Sequence, residues 1–134
     1  GIYVGASVIY VRTNVPYSQA TEAMLRATAP ADYPLDGLQQ AMACGHARLI
    51  TADNGGSVMA VLSYQIHGQE IEVTGLNAEG AAFTMRPMWQ ALEKIARDNH
   101  VRRISAMIER DKMAAVVEHF GMTERAVYFV KEVL

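Results

Sequence analysis

The sequence has little of what marks specialised classes of protein. It contains one cysteine, Cys44, among 134 residues, which excludes an internal disulfide framework and is compatible with a reducing compartment. Twelve basic and 14 acidic side chains leave a formal net charge of -2, so nothing electrostatic favours nucleic acid or an anionic membrane as a partner. No apolar run reaches the roughly 18 residues of a membrane-spanning helix. These absences predict a cytoplasmic location.

The sequence also gives no sign of a metal site or of a reactive cysteine. The four histidines, His46, His67, His100 and His119, show no ligand spacing such as H-x-x-x-H, so we predict no metal site. Cys44 lies in a stretch rich in Ala and Met, where a cysteine is more often a small buried hydrophobe than a nucleophile.

An apolar fraction of 51% is present, and a chain of this length can bury a core without covalent cross-links. No internal repeat, low-complexity tract or composition shift divides the sequence, so one domain over residues 1–134 is predicted. The alternation of β-branched and polar residues predicts strands, at 7–13, 47–52, 57–68, 69–75, 101–109 and 125–133. Apolar residues at helical spacing predict helices opening at Pro16, at Leu38, at the candidate N-cap Thr84 with Pro87 in the first turn, and at Lys112, the last ending at Gly121.

The order of these elements predicts a mixed sheet. Asn-Gly at 54–55 is a strong hairpin signal, because both residues tolerate the positive φ that tight turns need. Strands 47–52, 57–68 and 69–75 therefore form an antiparallel meander, followed by strand–helix–strand and a final helix–strand.

This order, and the closing segment VVEHFGMTERAVYFVKEVL, resemble the GNAT superfamily of acyl-CoA-dependent N-acyltransferases. Family members often end with a helix, Gly-Phe and a strand, and here Met122 stands in the Phe position. The segment MWQALEKIARDNHVRRISAMI is similar to the family's LL..LE..A...G...I.L.V helix–strand. The resemblance implies an α/β (α+β) fold with a mixed central sheet of six to seven strands, antiparallel in its first half and flanked by four helices.

The resemblance also implies acetyl-CoA as cofactor and a primary amine as acceptor. In the family, the pyrophosphate lies on backbone amides at the start of the helix after the fourth strand, on the pattern Q/R-x-x-G-x-G/A. The corresponding segment here is NAEGAA, and the implied cofactor-binding residues are Val73, Gly75, Asn77, Gly80, Ala81, Ala82 and Thr84. The strand is expected to splay after Thr74, so that the backbone at Val73 and Gly75 pairs with the pantetheine arm.

Several positions depart from the family pattern. Asn77 stands where Gln or Arg belongs, and Gly80 lies further from Glu93 than the family glycine does. In strict register the two small positions fall on Phe83 and Met85, whose side chains would crowd a phosphate. The tyrosine that many members use as general acid corresponds to Val117, which has no proton to transfer. Glu72, which shares a strand face with Glu70, is the candidate general base.

Two hypotheses stay open at this point. The first is an N-acetyltransferase that uses Glu72 and the loop at 73–86. The second is a GNAT-like protein without the reaction, used for binding or assembly, in which Phe83, Met85 or Trp89 fills the gap between the strands. Such degenerate domains are similar to small proteins of bacterial viruses, so a virion-associated location, a protein partner and a homo-oligomer are also considered.

Overall fold

The computed structural model describes residues 2–4, 7–29, 35–108, 111, 113–126, 131 and 133. Its strands are β1 (Ile2–Val4), β2 (Ser7–Thr13), β3 (Arg48–Asp53), β4 (Val58–His67), β5 (Glu70–Asn77) and β6 (Arg103–Ala106). Its helices are α1 (Gln19–Thr28), α2 (Leu38–Ala43), α3 (Met85–Asp98) and α4 (Met113–Phe120), and one 3-10 turn covers Ala82–Thr84.

Strands β2 to β6 form a five-stranded mixed sheet in sequence order, and β1 pairs with β2 at its edge. All of these pairs are antiparallel except β5 with β6, which is parallel. The predicted mixed sheet, its antiparallel first half and the four helices are confirmed. The predicted count of six to seven strands is not confirmed. The mixed sheet itself consists of the five strands β2 to β6, and the closing strand predicted at 125–133 lies partly outside the described residues.

Successive residues of β4 point to opposite faces of the sheet and supply both halves of the core. Leu62 and Tyr64 pack with the α3 side chains Met88 and Leu92 on one face. Val61 packs with α1 and α2 on the other face, where Leu25, Leu38 and Leu49 are buried. We call these the α3 face and the α1 face.

Several local expectations are corrected by side-chain contacts. Helix α1 begins at Gln19 rather than near Pro16, because the Ser18 hydroxyl accepts the Thr21 amide at 3.1 Å and so caps the helix there. Thr84 does precede α3, but its hydroxyl donates to the Ala81 carbonyl at 2.6 Å instead of capping the helix. Cys44 is exposed rather than buried, since it lies at the C-terminal end of α2.

Among the described residues, none of the helices has both the length and the apolar character needed to cross a membrane.

Candidate active site

A β-bulge interrupts the middle of β5. Ser63 of β4 faces Gly75 and Tyr64 faces Val73, so Thr74 is an extra residue on β5. The hydroxyl oxygens of Ser63 and Thr74 lie 2.8 Å apart. The bulge therefore places the consecutive residues Thr74 and Gly75 on the same face, the α1 face, and changes the course of β5 at that point.

A glycine after the bulge lets α1 lie directly against β5. A Cβ atom on Gly75 would lie 2.8 Å from the Ser63 Oγ and 2.9 Å from the Leu25 Cδ2. Both neighbours are almost fully buried, so a side chain at this position would have to displace them. Gly75 thus sets how closely α1 approaches β5.

The pairing between β5 and β6 ends where the bulge begins. Glu70–Val73 pair in parallel with Arg103–Ala106, while β5 continues to Asn77. Residues 74–77 have no strand partner on the β6 side within the described part of the chain. Strand β6 ends at Ala106, so β5 continues beyond it, and we call this place the fork. The last paired residue is Val73, one residue before the position where the splay was expected, and the splay itself stays a prediction.

Helix α1 supports the part of β5 that β6 has left. The Thr28 hydroxyl donates to the Leu76 carbonyl at 2.8 Å, and the Asn77 side-chain amide donates to the Met24 carbonyl at 2.7 Å. The Asn77 Oδ1 also accepts the Glu79 amide at 3.0 Å. Asn77 is buried, so its two polar atoms are already used within the fold.

The loop after β5 leads into α3 through two tight turns. The Ala81 amide donates to the Ala78 carbonyl and the Thr84 amide to the Ala81 carbonyl, each at 2.9 Å. The Met85 amide donates to the Ala82 carbonyl. The amides of residues 80, 82 and 83 have no acceptor among the described residues. This start of α3 therefore presents free N–H groups at the positive end of the helix dipole.

An arginine in the first turn of α3 adds positive charge to the same place. Arg86 is exposed, and that turn contains no acidic residue. A cation near a helix N-terminus is unfavourable unless an anion neutralises it. Sequence reasoning missed Arg86, although a basic residue without an acidic neighbour at a predicted helix start was a usable signal.

The two carboxylates of β5 lie on the α1 face but have different surroundings. Glu70 accepts the Ser105 hydroxyl at 2.9 Å and lies 3.5 Å from the Arg103 guanidinium. The Oε1 of Glu72 lies 3.2 Å from the His67 Nε2. Both are partly exposed. Glu70 thus contacts two residues of β6, whereas the Glu72 carboxylate has one side-chain partner, His67.

Two of the three side chains that the second hypothesis places in the gap have surroundings that the structure describes. Trp89 stacks on Phe120 of α4 with ring centroids 4.6 Å apart. Phe83 keeps 43% of its surface exposed, and Val117, at the position of the family's tyrosine, keeps 51% exposed. Exposed apolar groups therefore stand at the α3 start and on α4, and Val117 has no group that titrates.

The predicted site residues separate into two groups. Gly80 and Ala82 are exposed at the loop, and Glu72, Val73 and Gly75 lie at the fork. By contrast, Asn77, Ala81 and Thr84 are buried, and their hydrogen bonds lie within the fold. The structure thus favours the backbone of the loop, rather than these three side chains, as the ligand-facing surface.

A groove of about 680 Å³ lies apart from the fork, between the β2–α1 connection, α2 and the start of β3. The described residues that line it include Asn14, Tyr17, Gln39 and Met42 but no acid, histidine or cysteine. No three His, Cys, Asp or Glu side chains of the described residues are placed to hold a metal ion. Of these two places, only the fork has carboxylates, those of Glu70 and Glu72.

Comparison with known proteins identifies the fold. No protein-family model and no curated protein matches the sequence. Among solved structures, the aminoglycoside N-acetyltransferase AAC(6')-Iy in complex with CoA has 12% identity and a TM-score of 0.64, over 98% of this chain and 100% of that one. The aminoglycoside 6'-N-acetyltransferase AAC(6')-Ih from Acinetobacter baumannii has 18% identity and a TM-score of 0.63, over 94% and 99%.

A third similar structure is the ribosomal-protein-alanine N-acetyltransferase from Brucella melitensis biovar Abortus 2308. It has 10% identity and a TM-score of 0.71, over 94% of this chain and 100% of that one. Identities this low carry the fold and not the substrate. The matches extend over nearly the whole of each chain, and the chain has the GNAT fold.

Proposed function

We propose that this protein is an acyl-CoA-dependent N-acyltransferase that transfers an acetyl group to a primary amine. The observation that carries the proposal is the end of β5–β6 pairing at Val73 and Ala106, after which β5 leads through the loop at 78–84 into a helix start with free amides. An unpaired strand edge accepts an extended ligand arm by backbone hydrogen bonds, and a helix N-terminus binds phosphate. A coenzyme with both parts fits this arrangement.

In this proposal the amides of Gly80, Ala82 and Phe83 bind the pyrophosphate, with Arg86 adding charge beside them. The backbone of Val73 and Gly75 pairs with the pantetheine arm. The side chains of Asn77 and Thr84 act indirectly, since their hydrogen bonds shape the loop. Acetyl-CoA, when bound, supplies the acetyl group as a reactive thioester.

Glu72 acts as the base. A primary amine is mostly protonated at neutral pH, so it loses a proton to the Glu72 carboxylate, directly or through one water, before it attacks the thioester carbonyl. A C–N bond forms, the C–S bond breaks, and free CoA leaves. Val117 has no proton to give, so the leaving thiolate takes its proton from the amine or from solvent.

Isothermal titration with acetyl-CoA and with CoA, combined with thermal unfolding, tests the proposal. A ligand at a hundred times its Kd stabilises the folded state by about 2.7 kcal/mol. Replacing the exposed Ala82 with Glu places a carboxylate against the phosphates, so A82E is expected to abolish binding. The matched control A43E alters an exposed alanine of α2 and is expected to bind normally. No heat and no thermal shift at millimolar acetyl-CoA would contradict the enzyme proposal.

The acceptor can be narrowed by a small panel of amines. The names of the similar structures point to two classes, an aminoglycoside amine and the amino group of an alanine in a ribosomal protein. We therefore propose neamine and a peptide with N-terminal alanine as first probes, with product detected by mass spectrometry. Acetylation of one probe that E72Q abolishes would identify both the acceptor class and the base.

A second function, binding or assembly without catalysis, is favoured by Phe83 and Met85 at the positions where the family has small residues. Their side chains stand at the α3 start, and Phe83 is 43% exposed. In this alternative the partner is another protein or a second copy of the chain. The likeness to small proteins of bacterial viruses supports this alternative. If acetyl-CoA does not bind, binding or assembly without catalysis becomes the favoured function.

A further inference from the structure

The contact between His67 and Glu72 follows from the register of the β4–β5 hairpin. The residue directly opposite His67 is Glu70, and Glu72 lies opposite Gln65. Diagonal neighbours of this kind are about 7–8 Å apart at the backbone, within reach of long side chains. His67 nevertheless lies 3.2 Å from Glu72 and has no recorded hydrogen bond to Glu70.

Strand β6 explains this choice of partner. Arg103 lies in register with Glu70, and Ser105 donates to Glu70 although its own register partner is Glu72. Both oxygens of Glu70 are therefore drawn towards β6. Glu72 has one recorded contact, at Oε1 with His67, and its Oε2 has no partner among the described residues. The two carboxylates share one face of β5 but differ in their partners.

We infer that His67 is a positioning residue for Glu72 in the proposed acyl transfer. The imidazole Nε2–H donates to the Glu72 Oε1 and holds the carboxylate beside the fork, so that Oε2 is presented to the attacking nucleophile. The inference rests on the proposed function, because it gives Glu72 the role of base. Nothing in it requires His67 to touch substrate.

Water can replace the amine in the test, which makes the result independent of the acceptor. In that reaction water gives a proton to Glu72 and its oxygen attacks the thioester carbonyl, so acetyl-CoA and water yield acetate and free CoA. CoA release is followed by chromatography rather than by a thiol reagent, since the exposed Cys44 would react with the reagent. Titration with acetyl-CoA runs in parallel for every variant.

His67→Ala is expected to lower kcat about tenfold, as loss of a hydrogen bond to a charged group does, with KM for acetyl-CoA unchanged. His67→Gln keeps an N–H donor near the same position and is expected to restore most of the rate. His46→Ala removes an exposed histidine whose side chain makes no hydrogen bond with any described residue, and it should leave kcat at the wild-type value. In an E72Q background, His67→Ala should have no further effect.

The possible failures are distinguishable. A wild-type rate in His67→Ala, or the same tenfold loss in E72Q as in wild type, would overturn the inference and leave the proposed function intact. Binding of acetyl-CoA without any CoA release or amine acetylation would overturn the role of Glu72, and that of His67 with it. If acetyl-CoA does not bind to the wild-type protein, the proposed function itself fails and the inference falls too.

Discussion

At the scale of single residues, the absence of a side chain at Gly75 sets how closely α1 packs against β5. Gly75 lies against Ser63 of β4 and Leu25 of α1, and both neighbours are buried. Since interiors are closely packed, even one added methyl group has to displace something. This position therefore couples the α1 helix to the strand that forms the fork.

Gly75→Ala is expected to destabilise the protein by about 1–3 kcal/mol, the usual cost of overpacking a full core. Urea unfolding followed by circular dichroism measures the change. The matched control is Gly56→Ala, where a Cβ would meet only the Asn54 Oδ1 at an ordinary 3.5 Å. Equal stability of the two variants would show that α1 moves aside without cost.

The Arg12–Asp53 pair makes stability depend on acid pH. The Arg12 Nε donates to the Asp53 Oδ2 at 2.6 Å, and the Gly55 amide donates to Oδ1 at 2.7 Å. The hydrogen bond from Arg12, despite burial that opposes it, lowers the pKa of Asp53 below its ordinary value.

A carboxylate with a lowered folded-state pKa stabilises the protein above its unfolded pKa of about 3.9. That contribution is lost as the pH falls through the folded-state value. We expect thermal midpoints of wild type to fall between about pH 5 and pH 2 more steeply than those of D53N. D36N alters an almost fully exposed aspartate and should keep the wild-type slope. Parallel curves for wild type and D53N would contradict the prediction.

At the scale of elements, helix α1 holds the part of β5 that continues beyond its pairing with β6. Its C-terminal turns hold Leu76 and Asn77 by hydrogen bonds from Thr28 and to Met24. A strand segment with an unpaired edge keeps its course because a helix holds it from one face. Leu76 and Asn77 are thus held in place by hydrogen bonds with α1.

Asn77→Ala is expected to cost about 1–3 kcal/mol, because it removes two hydrogen bonds of a buried side chain, one to the Met24 carbonyl and one from the Glu79 amide. Asn99→Ala is a matched control, since the Asn99 amide also donates to a helix carbonyl, that of Ile95 at 2.8 Å, but at an exposed site. The urea concentration at the midpoint of unfolding is measured for both variants and for wild type. A larger loss in Asn99→Ala would contradict the role given to Asn77.

At the scale of the whole molecule, the fork and the groove beside α2 are separate candidate surfaces. If the proposed function is right, acetyl-CoA should slow amide hydrogen exchange in residues 74–86 and leave residues 38–47 unchanged. The reason is that bound phosphates and pantetheine occupy the free amides of the loop and the open edge of β5. Exchange followed by mass spectrometry checks this, and protection confined to 38–47 would place the ligand in the groove.

Most of the fold follows from local signals in the amino-acid sequence. Alternation of polar and apolar residues places β3, β4 and β5, and the Asn54-Gly55 turn joins the first two as a hairpin, since these signals depend only on neighbours along the chain. Helices α3 and α4 were also predicted, with Gly121 after α4 at φ 66°. The resemblance to the GNAT fold was confirmed in the structure.

The partners of the site residues depend on the tertiary structure. The sequence places Glu70 and Glu72 on one strand face, and the difference between their contacts comes from Arg103 and Ser105, more than 30 residues further along the chain. Likewise, Asn77 was expected to face a phosphate but is bonded to α1. Spacing along the chain fixes which face of a strand a side chain occupies, whereas its partners depend on which elements pack there.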